Sequence, residues 1–202
     1  LTNNCKVKRQ DINGIWKDIK EAALTTIYLK PINNPDTKWK KSILIAEHSP
    51  IRLLKINWIW QKIKSFVSVH FVRHKIGIEH FVGTQREDIL KDSTLKNTRT
   101  VLIPHRCVAN AQAIINISRK RLCQKAHAET ILSWIEFLNS IKVDYPELYY
   151  TCVPECVYRG GCSQIRTCKI SERFFKNLTL KEFQNINKRY EKYHENKGII
   201  YG

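Results

Sequence analysis

The chain of 202 residues carries 35 basic and 18 acidic side chains, a formal net charge of +17, with 43% of residues hydrophobic and 26% charged. These proportions predict an ordered globular chain of about one domain's length, and exclude wholesale disorder and collagen-like or linker-like classes. No apolar run approaches the roughly 20 residues that span a bilayer. Residues 1–11 are polar without an apolar signal core, and the seven cysteines are odd in number and unevenly placed, so a reducing, cytoplasmic setting is expected.

In chain order, residues 11–26 predict a helix, with Ile15, Ile19, Ala22 and Ala23 at helical spacing. A turn-rich stretch over 31–36 leads to a second helix over 37–46. That helix stops before His48-Ser49-Pro50, because a residue preceding proline resists the helical region. Residues 51–60 alternate, placing Leu54, Ile56, Trp58 and Trp60 on one face of a strand. Helical spacing returns over 62–74 through Phe66, Val69 and Val72. Gly77 and Gly83 bracket a loop, 82–86 reads as a short strand, 88–97 as a polar excursion, and 100–108 as a strand broken by Pro104. Residues 111–123 give the clearest helix, and a longer one over 128–142 stops near Pro146. Near the end, Thr179 and Glu182 are spaced as a capping box for a terminal helix.

The positive charge is concentrated. No carboxylate lies between Glu47 and Glu79, where Arg52, Lys55, Lys62, Lys64, Arg73 and Lys75 fall. None lies between Asp92 and Glu129, where Arg99, Arg106, Arg119, Arg121 and Lys125 fall. Acid-free, apolar-rich stretches suit the walls of an anion pocket, for nucleic acid or for nucleotide and folate substrates; the alternative is the solvated face of a lysine-rich chain.

There is no dinucleotide fingerprint, no P-loop and no glycine-flanked nucleophilic serine. The informative segment is Phe71-Val72-Arg73-His74-Lys75 at a helix end, followed by Thr84-Gln85-Arg86. Its cationic and protonatable groups could hold a polyanion, or simply complement the helix dipole. His70 and His74 stand one turn apart without the intervening glutamate of a zinc protease motif. On the helix over 111–123, Gln112, Asn116, Arg119 and Cys123 form a polar edge. Arg121 shares the opposite stripe with Asn110, Ile114 and Ile117, so it either snorkels outward or meets an anion.

These segments resemble the flavin-dependent thymidylate synthase family. Its Arg-His-Arg signature at a helix end resembles Arg73-His74-Lys75, and its Ser-x-Arg element resembles Thr84-Gln85-Arg86. Its Asn-Ala-Arg helix opening, with a further asparagine and a substrate arginine downstream, resembles Asn110-Ala111-Gln112, Asn116 and Arg121. An upstream His-Glu-Thr-Pro element is similar to Glu47-His48-Ser49-Pro50. The resemblance covers about residues 20–145, and the whole chain is similar to a short form often seen in bacteriophages. It implies an α+β fold, a central mostly antiparallel sheet flanked by helices, with a synthase-like domain over 1–150 and a cysteine-rich segment and helical tail over 151–202. It further implies a cytoplasmic homotetramer converting dUMP to dTMP with FAD, NADPH and methylenetetrahydrofolate. Ser49, Arg73, His74, Lys75, Asn110, Gln112 and Asn116 would then contact FAD. Thr84, Gln85 and Arg86 would touch dUMP, with Arg121 as the catalytic residue beside the uracil ring. The chain departs from the family pattern at Lys75 and Gln112, each in place of arginine, and in the short region between Arg86 and Asn110.

Two other functions compete: a related pyrimidine nucleotide modifier such as a dUMP hydroxymethylase, and a basic nucleic-acid-binding protein. The latter would stack bases on the aromatic residues interleaved among Lys55, Trp58, Trp60, Lys62, Lys64 and Phe66. Cys152, Cys156, Cys162 and Cys168 could form a structural zinc site, or be buried or free thiols, since they lack tight Cys-x-x-Cys knuckles.

Overall fold

Aspartates start the first two helices. The Asp11 carboxylate accepts the Gly14 N–H at 3.1 Å to begin α1, Ile12–Thr25, and Asp36 accepts the Trp39 N–H at 2.7 Å to begin α2, Thr37–Ile45. These are side-chain caps on backbone donors that the first helical turn leaves unpaired. The computed structural model describes residues 3–8, 11–86, 88–89 and 99–201. Most of the expected polar excursion over 88–97 therefore lies outside the described residues.

The described chain is α+β, built on a four-stranded antiparallel sheet in the order β1-β2-β4-β3, with β1 Cys5–Val7, β2 Lys55–Lys64, β3 Ile78–Val82 and β4 Leu102–Asn110. Four differences from the sequence reading have local causes. Ser49–Leu53 is a 3-10 turn opened by Pro50 rather than the start of a strand. The strand continues to Lys64 because its alternation shifts phase at a bulge between Trp60 and Ile63, where Gln61 and Lys62 are both exposed. Pro104 does not break β4: it falls at this bulge, without a register partner on β2. The third strand occupies the expected loop between Gly77 and Gly83 and ends at Val82, where the strand expected over 82–86 would begin, pairing Ile78 with Ala109 and Val82 with His105.

Helix α3, Ser65–Val72, follows β2 directly, and α4, Ala111–Arg121, grows directly out of β4. At that junction Asn110 accepts the Ala113 N–H at 2.9 Å. With α5, Ala128–Ile141, these helices help cover the sheet face that carries Trp58 and Trp60. The core there is aromatic: Trp58 stacks on Phe137 at 4.1 Å between centroids, Trp60 on Phe71 at 4.8 Å, and Trp134 adjoins both indoles. Burial of such rings is the largest apolar contribution available per residue.

The C-terminal part continues through α6 Pro146–Thr151, α7 Glu155–Arg159, α8 Ile170–Phe175, α9 Leu180–Gln184 and α10 Ile186–Tyr201. The capping box forms as expected at Thr179 and Glu182, but the short α9 is what it opens. Val153, Val157, Tyr190 and Tyr193 make a second apolar cluster. Buried Arg189 ties α10 to the preceding turns by donating to the carbonyls of Val157 at 2.8 Å, Phe183 at 2.6 Å and Tyr158 at 2.7 Å. Among the described residues, no helix is long and apolar enough to cross a membrane.

Candidate functional site

Two of the motif segments, the turn at Glu47 and the end of α3 at His74, meet α4 from far away in sequence. At its first turns, the Gln112 amide donates to Glu47 Oε2 at 2.5 Å and to Asn116 Oδ1 at 3.3 Å. Arg119 donates to Asn116 Oδ1 at 3.3 Å, forms an ion pair with Glu47, and lays its guanidinium over the Tyr158 ring at 3.5 Å. Glu47 adopts φ +53, a left-handed conformation unusual outside glycine and asparagine, which sends its chain toward the turn containing Ser49. Gln112 and Asn116 are therefore engaged within the protein by a carboxylate and an arginine that the sequence motifs alone did not single out as partners.

At its last turn, Arg121 donates from Nε to His74 Nε2 at 2.9 Å and from Nη2 to the His70 carbonyl. Arginine has no acceptor, so His74 must present a lone pair there, which fixes it as neutral with its proton on Nδ1. Burial first, and then the Arg121 charge, push the His74 pKa down to about 4, in agreement with that geometry. His74 is thus an inward-facing neutral acceptor, not one of the cations of a clamp. His70 turns away to bond Thr130 at 2.8 Å, so the two histidines share no ligand position. Arg121 is half-buried, and among the described residues no carboxylate pairs with it; burial, then Arg73, lowers its pKa.

On another side of α3 an open cleft of about 510 Å³ is walled by Arg73, Lys75, Val72, Gly83 and Gln85. Among the described residues, the exposed Arg73 and Lys75 have no ion-pair partner and the buried Gln85 amide nitrogen has no acceptor. Thr84 and Arg86 stand at the exposed rim, and Arg86 is tied to Asp88 through Nε at 3.0 Å. Arg73 and Lys75 are thus brought together with Gln85, but Arg121 is not in that cleft.

Between the two lies a histidine chain that sequence reasoning missed. His80 Nε2 donates to the His74 carbonyl at 2.8 Å, and His80 Nδ1 faces His105 Nε2 at 3.0 Å. His105 Nδ1 in turn meets the Ser68 hydroxyl at 3.0 Å. With both rings neutral, protons run in one direction, from Ser68 through His105 and His80 to the carbonyl. Burial, then His80, pushes the His105 pKa down to about 4. Cys107 Sγ lies 3.3 Å from His105 Nε2 and 3.5 Å from His80 Nδ1, and the three ligand atoms fall within 4.8 Å of one another. This set could take a metal ion, with Ser68 and the His74 carbonyl as outer partners. The alternation of His105 and Cys107 on one strand face is the sequence signal for it, while their register opposite His80 is set only by the sheet.

Trp58 and Trp60 are 1% and 0% exposed. They are core residues and offer nucleic-acid bases no surface, which removes these two indoles from the competing stacking reading. Comparison with protein-family models and with curated proteins finds no match to this chain.

Proposed function

We propose that this chain is a flavin-dependent thymidylate synthase-like enzyme, with that family's fold, converting dUMP to dTMP with FAD, NADPH and methylenetetrahydrofolate. The observation that carries the reading is Arg121: a half-buried guanidinium, oriented by His74 and the His70 carbonyl, with no carboxylate to neutralise it among the described residues. A buried cation without a counter-charge is costly, and an anionic ligand relieves that cost. Beside a uracil ring, the charge favours the N3-deprotonated form and so makes C5 more nucleophilic.

The residues present fit FAD at the cleft. Arg73 and Lys75, without ion-pair partners among the described residues, supply positive charge for a pyrophosphate; Gln85, which the resemblance gives to dUMP, lines the same cleft and offers its amide nitrogen, without an acceptor among the described residues, as a donor there. Asn110 caps α4 through its oxygen and has its amide nitrogen as the donor it can offer a ligand. When bound, FAD carries the hydride and one-carbon steps, while the protein binds and polarises. Ser49, Gln112 and Asn116 belong to the same reading as flavin contacts, and Thr84 and Arg86 as nucleotide contacts. Because Arg121 lies outside the cleft of Arg73 and Lys75, a site joining them is completed by another copy, in keeping with a homotetramer.

The test is the visible spectrum of the purified protein, a dUMP titration and product analysis. Flavin absorbance that responds to dUMP and a dTMP product are expected; hydroxymethylated dUMP would identify the related modifier instead. A colourless protein that takes up no FAD overturns the reading.

A further inference from the structure

Four cysteines converge from separate segments onto one small cavity: Cys123 from the turn after α4, Cys156 from α7, and Cys162 and Cys168 from the loop between α7 and α8. Cys152, which the sequence grouped with the last three, is instead buried in the main core and lines a different cavity with Tyr149 and Tyr193. The cavity shared by the four thiols encloses about 20 Å³, room for about one water-sized body. None of the four is in a disulfide.

The chain around these thiols is thinly held. No described side chain between residues 158 and 188 is buried, and Ile165 is fully exposed. Tyr158, Ile170, Phe175 and Ile186 are only half-buried against the cluster of Val153, Val157, Tyr190 and Tyr193. Four thiols gathered from three segments on so weakly packed a stretch suit a metal staple, a device that small folds use.

We propose that Cys123, Cys156, Cys162 and Cys168 form a structural site for one soft divalent cation, zinc being the ion that four thiolates suit, and that it clamps the loop between α7 and α8 to the C-terminal end of α4. Sulfur-rich tetrahedral sets select zinc over hard cations. Among the described residues the trio of ligand atoms within 4.8 Å of one another is His80, His105 and Cys107, so the four thiols close in as the ion binds, coupling binding to folding of the loop. Each thiol gives up its proton to solvent as its sulfur–metal bond forms, and no electron is transferred. Because each thiol must lose its proton to bind, metal competes with protons and affinity falls as pH falls. The inference does not depend on the flavin reading.

The test uses the full chain purified without chelator. Elemental analysis should give about one zinc per chain. Iodoacetamide mapping should find Cys123, Cys156, Cys162 and Cys168 protected, then reactive after chelation, and cobalt(II) added to the apo protein should restore protection with thiolate-to-cobalt charge-transfer bands. Cys156→Ser and Cys162→Ser should lose the metal, while Cys152→Ser and Cys107→Ser keep it, the latter separating this site from His80 and His105. A wild-type chain that neither carries nor takes up zinc or cobalt overturns the proposal. So does bound metal with these four thiols still reactive, or iron with acid-labile sulfide in place of a single ion. The mapping on wild-type protein decides even where a serine variant fails to fold.

Discussion

Arg121 and His74, 47 residues apart in sequence, meet nitrogen to nitrogen at 2.9 Å, and the arginine's donor makes the histidine an acceptor. The contact joins the end of α4 to the end of α3 and leaves the guanidinium oriented but without a counter-anion among the described residues.

Arg121→Ala is expected to retain FAD, whose proposed phosphate contacts are Arg73 and Lys75, and to weaken dUMP binding roughly tenfold to a hundredfold, the cost of about 1.5–3 kcal/mol for one charge-assisted contact. Arg121→Lys should recover only part, because an ammonium lacks the planar fork. The measurement is a dUMP titration followed by flavin absorbance, with the His74 imidazole tracked by NMR. Since Arg121 contributes to holding the His74 pKa low, the alanine variant should raise it. Equal dUMP affinity in all three proteins would show that the arginine has no nucleotide to meet.

Glu47→Gln leaves the largely buried Arg119 without its carboxylate, on a backbone already held at φ +53. A loss of about 1–3 kcal/mol in urea unfolding is expected, below the cost of a fully buried pair because both side chains retain some solvent contact. Adding Arg119→Met should return part of it. An additive double mutant would mean that the ion pair contributes nothing.

His194 donates to the Tyr150 carbonyl at 2.8 Å while stacked on that ring, and its pKa is pushed down to about 4 by burial, with Lys197, Lys41 and Lys142 adding to the effect. A histidine held below its unfolded value near 6.5 binds fewer protons folded than unfolded between the two values. Its contribution is present above pH 6.5 and is lost as pH falls toward 4. The urea midpoint should fall over that window, less steeply in His194→Gln; identical slopes would remove His194 from the account.

Trp60→Ala should cost about 3–5 kcal/mol, because it empties a ring-sized space between Phe71 and Trp134 that the surrounding strands and helices cannot refill. If Trp58 and Trp60 are core alone, single-stranded DNA should leave their emission unchanged in wild-type protein. Quenching that disappears in a folded Trp60→Phe variant would restore the stacking reading.

Much of the fold was legible because local rules act on short windows. Asp11 and the helix over Ile12–Thr25, the alternation through Trp58 and Trp60, and the capping box at Thr179 follow from spacing and side-chain chemistry within a few residues. The bulge after Trp60 and the place of Pro104 opposite it were not legible, because register is a property of two strands and not of one.

For the candidate site, sequence alone determined the inventory: an acid-free surplus of cations, an arginine on an apolar helical stripe, and a surplus of thiols. Only the tertiary structure decided the partners. It turned His74 inward to Arg121, gave Gln112 and Arg119 to Glu47, aligned His80 with His105 and Cys107, and exchanged Cys152 for Cys123 beside Cys156, Cys162 and Cys168. The physical reason is that charge and periodicity are carried by single residues, whereas a hydrogen bond or a shared ligand site exists only once chain segments of unrelated sequence position are packed to within a few ångströms.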